Sequence, residues 1–259
     1  YEAFKEKQLN RRVIEVDEKI FINPRNELPQ YISERSSIRC FDRNRQIERC
    51  KFEELLSSLR QRKVDGEIKY YYPSAGGLYP LDIYVWIKEN AVEGMKQGLY
   101  YYCPMDNSLN YIFKDELLTD EIQYYSNKNI FNTSSMSVYI VYNAQVTMPK
   151  YGSDAYFYAC IDAGIVTQLI TIAAELLGLS VCSIGKVDVC KMHEYLKLSS
   201  SQCLLHSIEV GYKKELKNGT DNLLENSENK KVLTETFKTD NPDLRLVMLS
   251  GDWIPLNLP

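Results

Sequence analysis

Histidine, tryptophan and excess positive charge are all scarce in this chain. Its two histidines, His193 and His206, sit in no metal-ligand spacing, which argues against a histidine-based metal centre. Its seven cysteines are scattered and odd in number, with no CxxC among them. That argues against a zinc site or a disulfide framework and leaves reduced thiols in a cytoplasmic protein as the expectation. With 31 basic against 35 acidic residues the net charge is −4, so the basic excess of a nucleic-acid binder is missing. No GxGxxG follows a strand-like run and no GxxxxGK[ST] occurs, which removes support for Rossmann or P-loop nucleotide binding. No run of about 18 apolar residues suggests a membrane span, and no signal peptide is visible. Internal repeats are also lacking. The sequons at Asn132 and Asn218 are read as incidental without a secretory signal.

What is present is an ordinary globular composition, 44% hydrophobic and 25% charged, with 20 tyrosines. A length of 259 residues allows one large domain or two small ones. Phe52, Leu55, Leu56 and Leu59 fall at i, i+3, i+4 and i+7, the stripe of an amphipathic helix. Leu81, Ile83, Val85 and Ile87 alternate with Asp82, Tyr84, Trp86 and Lys88, which predicts a half-buried strand. Residues 99–103 and 109–113 read as a hairpin about a turn at 104–108. A polar helix is expected near 115–125 and a strand at 136–142.

The longest helical pattern runs from about Asp154 to Leu177. Ser153 stands at its N-cap and Gly178 just past its end. Its broad apolar surface predicts a helix buried in the middle of the domain. A short strand at 181–184 ends at Gly185. Asp188 is placed to cap a helix through Leu196, and 204–212 reads as the last core strand. Residues 213–243 are polar and read as a solvated loop. The apolar end, 244–259, is a candidate segment for docking on the body or on a partner subunit. Helices and strands mix without regular βαβ alternation, so the fold class is α+β.

Four stretches carry possible chemistry. In Pro73-Ser74-Ala75-Gly76-Gly77-Leu78-Tyr79-Pro80, adjacent glycines permit positive φ and close approach of a flat ligand or a phosphate. By composition alone the stretch is a tight loop before a strand. Arg35-Ser36-Ser37-Ile38-Arg39 offers two guanidinium groups four residues apart with hydroxyls between them. It reads as a phosphate clamp or as an exposed basic turn. Lys150-Tyr151 stands just before the long helix, and either side chain can serve as a general base. Gly185 ends a strand where backbone can approach a ligand, or is simply a strand-end turn.

PSAGGLYP resembles the signature loop of the SagB-type azoline oxidases, a branch of the FMN-dependent nitroreductase superfamily. The R-x-S-x-R pattern at Arg35, Ser37 and Arg39 and the Lys150-Tyr151 pair look like elements of the same family. Val92-Glu93-Gly94, followed by Gly98-Leu99-Tyr100-Tyr101-Tyr102, looks like the oxidase domains embedded in nonribosomal peptide synthetases. A chain that begins at Tyr1 fits an excised domain. One departure is Glu34, which stands where many relatives have another Arg.

The resemblance implies an N-terminal arm over 1–30, a nitroreductase-like oxidase domain over 31–212 and a polar loop with a C-terminal extension over 213–259. It implies a mostly antiparallel central sheet flanked by helices. FMN would lie against Pro73, Ser74, Ala75, Gly76 and Gly77, with its phosphate on Arg35, Ser37 and Arg39 and its N5 near Gly185. The implied reaction oxidises a carrier-tethered thiazoline or oxazoline to thiazole or oxazole. Lys150 or Tyr151 would take the proton next to the carbonyl, flavin N5 the hydride, and oxygen would reoxidise the flavin. A homodimer and a peptidyl carrier protein are the implied partners. The alternatives are an NAD(P)H-dependent nitroreductase or flavin reductase, and a non-catalytic scaffold domain.

Overall fold

The computed structural model describes residues 20–22, 26–112 and 117–215, together with the backbone of two short strands at 246–249 and 252–255. The chain divides into two units, Tyr1–Glu34 and Arg35–Pro259. The described part of the first holds one short helix, α1 (Gln30–Ser33), in which Gln30 Nε2 donates to Glu34 Oε2 at 2.8 Å.

The second unit is built on one six-stranded sheet in the order β5-β4-β3-β6-β8-β7. The strands are β3 (Leu81–Ile87), β4 (Gly98–Cys103), β5 (Ser108–Ile112), β6 (Met136–Asn143), β7 (Ser180–Ile184) and β8 (Gln202–Gly211), and every neighbouring pair is antiparallel. Two hairpins stand apart from it: β1 (Arg62–Val64) with β2 (Glu67–Lys69), and β9 (Leu246–Leu249) with β10 (Asp252–Pro255). The polar loop expected over 213–243 lies almost wholly outside the described residues.

Helices cover both faces of the sheet. On one face Phe52, Leu55 and Leu56 of α2 (Arg49–Ser57) and Val166, Ile170 and Ala174 of α5 (Asp154–Leu176) pack on Ile83, Val85, Val138, Ile140 and Ile208. On the other, Phe131 of α3 (Lys128–Thr133) and Met192 and Leu196 of α6 (Val189–Leu196) pack on Tyr84, Trp86, Tyr139 and Val141. This second layer corrects the expectation of a half-buried β3. Tyr84 and Trp86 are as buried as the other face, at 9% and 1% exposure. The alternation is real, but the polar-looking face carries aromatic rings that a second helical layer covers.

The polar helix expected near 115–125 is also corrected. Its described part forms two single 3₁₀ turns, Asp120–Ile122 and Tyr125–Asn127. Thr119 accepts from Glu121 N and starts the first turn, and buried Ile122 and Gln123 pin the segment too tightly for a full helix.

The long helix ends as its sequence indicates. Gly178 takes φ 68°, its N–H reaches Glu175 O, and Leu179 N reaches Ala174 O, the paired bonds of a Schellman stop. By length and composition α5 is apolar enough to cross a membrane, yet one face of it is packed on the sheet. Its other face leaves Phe157, Ile161 and Leu176 exposed.

A buried polar knot closes one end of the sheet. Lys88 Nζ donates to Phe131 O, Ser134 O and Ser134 Oγ and lies 3.7 Å from Glu209 Oε2. Burial holds Glu209 above and Lys88 below their ordinary values, Lys88 at about 8.

Candidate functional site

The glycine loop and the Lys-Tyr pair meet because of sheet topology. β3 and β6 are antiparallel, with Leu81 opposite Tyr142. The loop that enters β3 and the chain that leaves β6 therefore emerge at the same sheet end. Asn143 N donates to Pro80 O at 2.9 Å, tying the two together. The chain after β6 then forms α4 (Ala144–Tyr151), capped by Asn143 Oδ1 on Gln145 N. Tyr142 Oη and Thr147 Oγ1, both buried, lie 2.9 Å apart and hold α4 back against the sheet.

Lys150 and Tyr151 thus close the C-terminal end of one helix, as well as preceding α5. Gly152, at φ 56°, separates the two helices. Lys150 Nζ lies 5.1 Å from the Tyr151 ring centroid, and Tyr158 packs edge-on against Tyr151 at 5.1 Å.

Gly76 abuts this pair. It takes φ 62°, and a methyl group built on it would meet Lys150 Nζ at 2.6 Å and Tyr151 Oη closer still. No other residue type fits that contact without a shift. Gly77, at φ 66°, has nothing within 4 Å of a built Cβ and leaves open space over the backbone. Both glycines are exposed, as is Pro73, while Ser74 and Ala75 are half-buried. Behind the loop, Tyr70, Tyr72 and Tyr79 form a ring cluster with centroids 4.1 to 5.5 Å apart. Asp162 of α5, absent from the sequence-based candidates, accepts from Ser74 Oγ at 2.5 Å.

The Arg-Ser-Arg segment lies elsewhere. Ile38 N donates to Val181 O at 3.0 Å, so the segment runs beside β7, and Ile38 packs with Phe41, Cys182 and Ile184. Arg35, Ser37 and Arg39 are exposed. Burial pushes the Cys182 thiol up, and the Arg39 charge acts against that. Burial likewise raises Glu175, near the end of α5, with Arg35 and Lys213 pulling it back. Lys213, paired across from Phe41, thus acts on the same Glu175 carboxyl as Arg35. Gly185 follows β7 with open space where a Cβ would stand.

The described residues thus form two groups. Pro73, Ser74, Ala75, Gly76 and Gly77 join Lys150, Tyr151 and Asp162. Arg35, Ser37 and Arg39 lie along β7, the strand that leads to Gly185. Asp162 and Glu175 mark the two groups on α5; thirteen residues at 1.5 Å each put them about 20 Å apart along the helix.

The sequence profile of the Nitroreductase family matches residues 32–212. The nitroreductase-type protein MJ1384 of Methanocaldococcus jannaschii is 33% identical over 144 residues, covering 55% of this chain and 70% of that protein. Among solved structures, a chain of the E. coli microcin synthetase McbBCD complex, with truncated pro-MccB17 bound, superposes with a TM-score of 0.66. It is 19% identical and covers 82% of each chain. An FMN-containing oxidoreductase superposes with a TM-score of 0.52 at 14% identity, covering 79% of this chain and 86% of the other.

The chain belongs to the nitroreductase family. It is an oxidoreductase of that class, with FMN as its cofactor. The residues present suit that group. The exposed guanidinium groups of Arg35 and Arg39 match a phosphate in charge and donor geometry, and the open glycine backbone admits a flat ring.

Proposed function

We propose that the chain is an FMN-dependent azoline oxidase that converts a carrier-tethered thiazoline or oxazoline to thiazole or oxazole. The observation that carries this reading is the contact of Gly76 with Lys150 and Tyr151. It joins the loop that resembles the azoline oxidase signature to the pair that resembles its proton-transfer element. The microcin synthetase neighbour, a complex holding a truncated pro-peptide, agrees with a peptide-borne substrate.

In this reading Arg35, Ser37 and Arg39 hold the cofactor phosphate, and Lys213 adds positive charge. Gly76 and Gly77 would leave backbone room for the flavin ring, and Gly185 would offer open backbone to it as well. When bound, FMN supplies the acceptor for the hydrogen that leaves the substrate with its bonding electrons. The residues of the chain handle the other hydrogen. Lys150 Nζ or Tyr151 Oη takes it as a proton from the ring carbon beside the carbonyl, and the loop fixes the ring within reach.

The roughly 20 Å between the two residue groups along α5 favours a composite site, in which one chain brings the glycine loop and a second brings the phosphate clamp. A homodimer follows, with a peptidyl carrier protein as the transient partner.

The deciding experiment uses Lys150→Ala and Tyr151→Phe. Both variants are expected to keep FMN through desalting and to lose turnover of a carrier-bound thiazoline. Full activity in both removes the pair from the mechanism. The 33% identity to a nitroreductase-type protein keeps a second reading open, an NAD(P)H-dependent reductase. Rapid flavin bleaching by added NADPH, with no azoline turnover, would favour it.

A further inference from the structure

We infer that Asp162 is a positioning residue: acting through Ser74, it holds the glycine loop in the shape that places Gly76 against Lys150 and Tyr151. The inference rests on the flavin site proposed above and extends it to a residue that touches neither cofactor nor substrate.

Asp162 is only 3% exposed and sits on the packed face of α5 between Ala159, Ala163 and Val166. A carboxylate there costs the fold more than an apolar side chain would. Among the described residues no Lys or Arg is ion-paired with it. Its hydrogen-bond partner comes from the glycine loop: Ser74 Oγ donates to Oδ2 at 2.5 Å. Burial raises its carboxyl, and Ser74 together with the Ala75 backbone acts against that. The titratable neighbour it faces is Tyr72, whose phenol is raised mainly by its own burial.

Ser74 passes this anchor on. While donating to Asp162, Ser74 Oγ accepts from Tyr79 N at 3.0 Å, which closes the loop on itself. The enclosed stretch contains three left-handed residues: Gly76 at φ 62°, Gly77 at φ 66° and Tyr79 at φ 50°. Tyr79 carries a side chain in a conformation that disfavours one, so the loop needs outside support to keep its shape. Asp162 provides that support at the point where the loop meets the Lys-Tyr pair. A buried acid that serves only the loop is explained by the loop's function rather than by core packing.

The test is a double-mutant cycle of Ser74→Ala, Asp162→Ala and the pair, with Ser74→Thr as the conservative control. Ser74 has an extended backbone, φ −140° and ψ 150°, that suits Thr. FMN affinity and the visible band of bound flavin are read for each. Each single variant is expected to weaken FMN about tenfold and shift the band, and the double variant to be no worse than the weaker single. Ser74→Thr should restore both readouts. If Asp162→Ala does not fold, the Ser74 variants carry the comparison alone. Wild-type affinity and spectrum in Ser74→Ala, or additive losses in the cycle, overturn the inference.

Amide hydrogen exchange at Ala75 and Tyr79, measured without flavin, separates the anchor from the cofactor reading. Faster exchange in the variants, with no FMN bound by wild type, keeps the anchor and overturns the flavin site. Unchanged exchange overturns the anchor, whatever the flavin does.

Discussion

Gly76 owes its role to the side chain it lacks. Its neighbours Lys150 and Tyr151 occupy the space a Cβ needs, and its φ of 62° disfavours any other residue. Gly76→Ala is therefore expected to push both side chains away and cost about 1–2 kcal/mol of stability in the loop. Azoline turnover should fall much further than the melting temperature. A variant with wild-type turnover would mean that the contact does not matter to the chemistry. Arg39, exposed beside β7, makes the complementary case. Arg39→Ala should weaken FMN by about 1.5–3 kcal/mol, read by fluorescence titration, while leaving folding intact. Unchanged affinity would remove Arg39 from the phosphate clamp. At this scale the sequence was partly legible. Gly-Gly and Lys-Tyr each stood out, but their contact depends on β3 lying beside β6, which no local pattern encodes. Asp162 went unread, although a lone acid between Ala159, Ala163 and Val166 on an apolar helix face is itself a signal.

Among the elements, the strongly periodic ones were legible and the short ones were not. α2 and α5 follow their apolar stripes, Gly178 ends α5, and Asp188 caps α6 by accepting from Lys191 N, whereas Ser153, expected to cap α5, makes no side-chain cap bond. α4 escaped notice because it is eight residues long and contains Pro149, which reads as a breaker. The burial of β3 on both faces depends on α3 and α6, which arrive much later in the chain.

β8 carries a consequence of such burial. His206 is held below its usual 6.5 by desolvation. Above that value both folded and unfolded chains keep it neutral. As pH falls through 6.5 the unfolded chain takes up a proton that the folded chain resists, so stability is lost on the acid side. His206→Gln removes this contribution. Between about pH 7.5 and 5.5 the variant should lose less stability than wild type in urea unfolding. Equal slopes would show that His206 protonates freely in the fold. Glu209, three residues on and raised by burial, contributes with the opposite sign, so the comparison is between variant and wild type rather than of either curve alone.

At the scale of the whole molecule, α5 does two jobs. One face fills the core through Val166, Ile170 and Ala174, while the other presents Phe157 at 64%, Ile161 at 45% and Leu176 at 63% exposure. The apolar breadth of the helix, read from sequence as burial within one chain, is thus only half used by that chain. The same helix meets the glycine loop at Asp162 and feels the charges of Arg35 and Lys213 at Glu175, residues about 20 Å apart along its axis. Under the homodimer proposed above, a second copy would cover the exposed face and complete the flavin site. Phe157→Asp puts a charge on that face without touching the loop, the clamp or the sheet. It is expected to shift the protein from dimer to monomer in sedimentation and to lose FMN on desalting, with its circular dichroism unchanged. A monomeric variant that keeps FMN would mean that each chain holds its own cofactor. A variant that stays dimeric would place the subunit contact on another surface.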